Sequence, residues 1–145
     1  ASQAMTPQTA FENYRRVSES LTVDRLDSLD DVLAPNVRFV DPFHETVGIE
    51  PMKKAFLRLF DSAENIKFEI IDNACSEGGV YFHWRLTALL SGKPWEVTGV
   101  TQARFNAGGL VTEHLEYWDA ASQFYERFPI IGPLLRFLRH RVARS

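Results

Sequence analysis

A carboxylate closing an apolar run is the first place where this sequence could do chemistry. In Val37-Arg38-Phe39-Val40-Asp41-Pro42, alternate side chains of an extended chain share a face, so Val37, Phe39 and Asp41 point the same way. A carboxylate on that apolar face is poorly solvated and is therefore a stronger base. Pro42 has no N–H for a strand ladder, so pairing loosens there and the chain turns. Asp-Pro is equally ordinary turn chemistry, with the carboxylate leaning into water, and the local residues leave both readings open. His44 and Glu45 follow as loop residues without an assigned role.

A second polar set lies in Thr112-Glu113-His114-Leu115-Glu116-Tyr117-Trp118-Asp119. Extended parity puts His114, Glu116 and Trp118 on one face and Glu113, Leu115 and Tyr117 on the other. Which face is inside is not fixed by periodicity. Asp41, His114 and Glu116 are acceptable metal donors by type, but their spacing is not diagnostic, and no metal is expected. The chain lacks a G-x-S-x-G elbow, a P-loop and a G-x-G-x-x-G loop.

Helices must precede these strands. Thr6-Pro7 is a helix start, followed by Phe11, Tyr14, Val17 and Leu21 at helical spacing. Asp24 caps a second short helix with the stripe Leu26, Leu29 and Leu33, ending before Pro35. A strand over Val37–Asp41 leads to a third helix opened by Pro51, with Met52, Phe56, Leu59 and Phe60 inward. The period then changes to alternation over Ile66–Asn73, Val80–Leu90, Trp95–Asn106 and Leu110–Asp119, joined by turns that contain Gly. Helices first and an antiparallel meander afterwards is an α+β pattern. The tail, 129–145, carries Leu134, Leu135, Leu138 and Val142 on one side and several arginines, with no acid after Glu126. It reads as an amphipathic closing helix; the sharper alternative is a helix for a partner or a membrane surface.

Composition limits the partners. The 145 residues, 45% hydrophobic and 12% aromatic, suit one soluble domain with a real core. A net charge of −3 argues against nucleic acid, which needs a basic face. The single Cys75 forms no intrachain disulfide, and neither a leader nor a membrane span is read, so a cytoplasmic location is expected.

Two helices, a strand ending Val-Asp-Pro, a loop to Gly48, a helix and a meander containing Ala-Arg-Phe-Asn-Ala-Gly-Gly-Leu-Val resemble the NTF2-like superfamily, over about residues 7–128. Within it the chain is most similar to the ketosteroid isomerase and SnoaL-like polyketide cyclase branch. The resemblance implies a cone-shaped (cystatin-like) fold, a curved sheet wrapped round the N-terminal helices with a ligand cavity between, and a homodimer formed through the outer sheet face. It places Asp41 on the proton-shuttling base and Tyr14 on the tyrosine that holds the oxyanion. Thr101 falls where the branch has a second oxyanion carboxylate. A neutral hydroxyl does not supply the same strong hydrogen bond, which sets this chain apart from steroid isomerisation itself. The same register puts Trp84, Leu86, Ala88, Trp95, Val97, His114, Glu116 and Trp118 on the cavity wall.

Three functions are compatible with this reading. The first is a cofactor-independent enzyme acting on a small hydrophobic molecule, an isomerase, cyclase, dehydratase or epoxide hydrolase. Asp41 would be base, His114 acid or orienter and Tyr14 oxyanion donor. The second is a module that binds a hydrophobic ligand without chemistry. The third is a protein-interaction adaptor, which would have a filled cavity and an exposed apolar patch.

Overall fold

In the computed structural model, which describes residues 5–129 and 131–144, the chain is an α+β protein built on one six-stranded sheet. Helix α1, Pro7–Glu19, starts where the Thr6 hydroxyl accepts the N–H of Thr9 at 3.2 Å and Pro7 occupies the first turn. Its inward stripe is Ala10, Phe11 and Tyr14, all essentially without solvent contact. The segment expected as a second helix is instead a 3-10 helix over Val23–Asp31, entered from Thr22 without a side-chain cap. Only its Leu29 is buried, and Leu33 already belongs to strand β1, Leu33–Val40. Pro35 explains the change, since the residue before a proline prefers extended backbone.

Strand β1 turns at Asp41-Pro42-Phe43-His44 into a short strand missed from sequence, β2 (Glu45–Val47), pairing Phe39 with Thr46. Helix α2, Ile49–Ser62, begins two residues before Pro51, whose missing N–H costs nothing in a first turn. Met52 and Ala55 are buried, with Phe56 and Leu59 packed against the core. Lys53 is buried as well, its ammonium 2.8 Å from Asp30 and 3.0 Å from Asp27, tying α2 to the 3-10 helix.

The meander follows as β3 (Ala63–Ser76), β4 (Gly79–Leu90), β5 (Lys93–Phe105) and β6 (Val111–Tyr117). Its order across the sheet is β2-β1-β6-β5-β4-β3, with β1 parallel to β6 and every other pair antiparallel. Register breaks between Glu64 and Lys67 and between Ile70 and Asp72 insert extra residues, which bend the sheet round the helices. Val80, Phe82, Trp84, Leu86 and Ala88 alternate inward along β4, as their spacing predicts.

After β6, Asp119 caps the one-turn helix α3, Ala120–Gln123. Hydrogen bonds from Ser122 are the main cause holding the Asp119 carboxyl below its ordinary range. A turn at Tyr125–Arg127 then leads into α4, Ile131–Ala143. The expected closing helix does exist, but Ile131, Leu134, Phe137 and Leu138 remain exposed instead of covering the body.

Candidate functional site

Between the concave face of the sheet, α1 and α2 lies a pocket of about 710 Å³. Its wall is dominated by aromatic and aliphatic side chains, among them Phe39, Phe56, Phe68, Phe82 and Leu59. Asp41, Tyr14, His114 and Glu116 all reach it, so the strand parity of both polar sets faces inward. Of the residues expected on the wall, Trp84, Leu86, Trp95, Val97 and Trp118 are there as well. Thr101 and Ala88 are not. Thr101 is completely buried behind the wall, where its hydroxyl accepts the indole N–H of Trp84 at 2.9 Å. Its role is thus to orient Trp84, and it presents nothing to the pocket.

Tyr14, His114 and Glu116 form one chain. The Tyr14 hydroxyl lies 2.7 Å from His114 Nδ1, and His114 Nε2 lies 2.8 Å from Glu116 Oε1. A carboxylate only accepts, so Nε2 carries the imidazole proton and Nδ1 receives the tyrosine O–H. The imidazole is boxed by Phe39 at 5.2 Å, Phe82 at 6.3 Å and Phe56 at 6.5 Å between ring centres. Burial pushes the Tyr14 hydroxyl far above its ordinary range, and the negative Glu116 adds to this. Tyr14 therefore stays protonated with its one proton committed to His114. The hydroxyl expected as an oxyanion donor is thus paired with His114, while Tyr14 still lines the pocket.

Asp41 belongs to a second chain. Its Oδ1 accepts the backbone N–H of Phe43 at 2.8 Å and of His44 at 2.6 Å. The His44 ring adds Nδ1 at 3.0 Å from Oδ1 and 3.1 Å from Oδ2. His44 Nε2 in turn lies 3.4 Å from an Arg58 guanidinium nitrogen, and Arg58 also lines the pocket. The Asp41 carboxylate organises the turn and also lines the pocket. His44, left without a role by the sequence, is the direct partner of Asp41. His114 is engaged by Tyr14 and Glu116.

Gly99 stands behind two residues of the pocket wall. A Cβ there would lie 2.6 Å from the Trp84 ring and 3.0 Å from Trp118 Cβ, so the missing side chain makes room for both indoles. The segment after β6 closes one side of the pocket with Phe124. It is held by Trp95 Nε1 on the Gln123 carbonyl at 2.7 Å and by the Thr98 N–H on Gln123 Oε1 at 2.8 Å. Among the described residues no cluster of three or more His, Cys, Asp or Glu could hold a metal ion. None of their helices is long and apolar enough to cross a membrane.

The curved sheet wrapped round α1 and α2 defines an NTF2-like fold, and solved structures agree. The chain is similar to an NTF2-like protein of unknown function from Exiguobacterium sp. 255-15, with 22% identity and a TM-score of 0.67 over 77% of this chain and 98% of the other. It is also similar to a candidate SnoaL-like polyketide cyclase from Jannaschia sp. CCS1, at 20% identity and a TM-score of 0.69 over 83% and 94% of the two chains. A third is a hypothetical protein with a ketosteroid isomerase-like fold from Catenulispora acidiphila DSM 44928, in complex with trimethylamine. It has 19% identity and a TM-score of 0.66 over 82% and 91%. At such identities the likeness is one of fold. The SnoaL-like domain family matches residues 14–114, and the protein belongs to that family. No curated protein matches the sequence.

Proposed function

We propose that the pocket is an acid–base site for a small, mostly apolar molecule, with Asp41 as the base and Glu116, backed by His114 and Tyr14, as the second proton-handling group. The observation that carries this reading is the hydrogen-bonded chain from Tyr14 through His114 to Glu116, ending on the pocket that Asp41 also faces. Two carboxylates with different backing in one apolar recess suit a reaction in which one group accepts a proton and the other returns it. The aromatic wall would hold the ligand's carbon skeleton, and Trp84, Leu86, Trp95, Val97 and Trp118 would shape its fit. The reaction class is isomerisation, cyclisation, dehydration or epoxide opening, all of which run by proton transfer without a resident cofactor. The same reading takes the outer sheet face, where Val100 and Tyr117 are paired and exposed, as a homodimer contact.

The second reading, a binding module without chemistry, is favoured by the donors already engaged at Asp41. Turnover separates the two. A panel of apolar ketones, epoxides and cyclisable polyketides is incubated with the wild type, Asp41→Asn and Glu116→Gln. The acid–base reading expects one substrate class to turn over, with about a hundredfold loss in each variant and binding retained. Tight binding by the wild type with no turnover across the panel assigns the pocket to ligand storage. Unchanged turnover in Asp41→Asn removes Asp41 from the role of base.

A further inference from the structure

Helix α4 is attached to the body by a polar edge, and its apolar stripe faces outward. The attached side is Gly132, Arg136 and Arg139, spaced i, i+4 and i+7. The Gly132 N–H donates to the Phe128 carbonyl at 2.8 Å, and a Cβ on Gly132 would collide with the Glu126 carbonyl. Arg136 donates to that carbonyl, and Arg139 Nε reaches the buried Glu126 carboxylate at 3.0 Å. On another side, Ile131, Leu134, Phe137 and Leu138 recur at helical spacing and are 49%, 57%, 59% and 47% exposed. Tyr125 and Phe128, also exposed, continue this surface to the pocket rim, where both rings pack on Phe124.

We propose that α4 docks on the surface of an anionic lipid bilayer. The charge identifies the occupant. On a chain of net charge −3, no acid follows Glu126, while Arg127, Arg136, Arg139, Arg141 and Arg144 all do. A second copy of α4 would bring two cationic helices together, which is unfavourable for a self-complementary contact. Nucleic acid would satisfy the arginines and leave the apolar stripe in water. A bilayer accommodates both: the apolar side chains enter the acyl boundary, and Arg141 and Arg144, which take no part in the attachment to Glu126, reach up to lipid phosphates. At 13 residues the helix is too short to span and suited to lie in the interface.

The test uses the full chain and vesicles of phosphatidylcholine with or without phosphatidylserine, read by co-sedimentation. Binding to the anionic vesicles is expected to be tighter by about tenfold or more and to weaken as salt rises. L134Q/F137Q should abolish it while leaving the denaturation midpoint unchanged. Arg141→Glu with Arg144→Glu, which leaves the Glu126 attachment intact, should weaken it about tenfold or more. Equal partition onto both vesicle types, no binding, or unaltered binding by L134Q/F137Q overturns the proposal. So does a wild-type dimer, seen by sedimentation, that L134Q/F137Q converts to monomer, which assigns the face to a second copy. The pocket takes no part in this measurement, so the two readings fail separately.

Discussion

His114 and His44 each hold a carboxylate against the same pocket, yet they are wired in opposite senses and set in different surroundings. His114 is 7% exposed, packed among aromatic rings, and bonded only through side chains. With Glu116 accepting from Nε2, it presents Nδ1 to Tyr14 as an acceptor. His44 is 23% exposed and sits in the turn it helps to close. Its Nδ1 faces Asp41 and its Nε2 faces Arg58, so the proton sits on the other nitrogen. Nitrogen-15 spectra of the two rings should therefore report opposite tautomers. The difference teaches how one fold can prepare two carboxylates for unlike tasks. One is backed by a buried relay across the core, the other by a local turn at the rim.

The sharpest way to break this comparison is to delete the buried imidazole. His114→Ala strands the Tyr14 hydroxyl and the Glu116 carboxylate in a site lined by Phe39, Phe56 and Phe82. Leaving a buried polar group without its partner costs about 1–3 kcal/mol for each of the two groups stranded, to be read by chemical denaturation. A loss under about 1 kcal/mol would mean the relay is not a buried, coupled unit.

What was legible in the sequence follows the same division between local and distant contacts. Alternation along β4 and β5 gave their inward faces directly, because strand parity is a property of neighbouring residues. Parity also brought Asp41, His114 and Glu116 to one side of the sheet, and the family resemblance turned that side inward. The bond between Tyr14 and His114 joins residues 100 apart, and no local period encodes it. Thr101 was placed on the ligand side by the family resemblance, yet the larger Trp84 lies over it. His44 was missed for the opposite reason: its partner is three residues away, inside a turn whose geometry periodicity does not describe. The parallel pairing of β1 with β6 and the outward stripe of α4 depend on where distant elements come to rest.

Removing only the tyrosine hydroxyl sharpens the comparison at a lower cost. Tyr14→Phe keeps the ring against Phe82 and Phe105 but leaves His114 Nδ1 without its donor. An unsatisfied buried acceptor is worth about 1–3 kcal/mol. The pH dependence has a definite sign. Tyr14 ionises at higher pH when folded than its unfolded value of 10.0. Above pH 10.0 the unfolded chain therefore loses a proton that the folded chain keeps. The wild type has this contribution in full below that pH and loses it progressively above. Tyr14→Phe lacks the tyrosine's share of that alkaline fall, so the gap between the two proteins should narrow as pH rises past 10.0. A constant gap would show that the hydroxyl is already solvated.

The smallest effect is expected at His44, and the reason lies in which atoms hold Asp41. Two of the N–H groups on its carboxylate belong to the backbone of Phe43 and His44. His44→Ala removes the ring and its contact with Arg58 but leaves both backbone donors in place, so the turn persists. The ring is partly exposed, and solvent replaces much of what it supplied, which limits the cost to about 1 kcal/mol or less. A loss as large as that of His114→Ala would erase the distinction, because it would make His44 a structural keystone of the rim. Should stability stay within this limit while turnover by Asp41 falls, His44 acts through its hold on the carboxylate, and the rim chain is a positioning device parallel to the buried one.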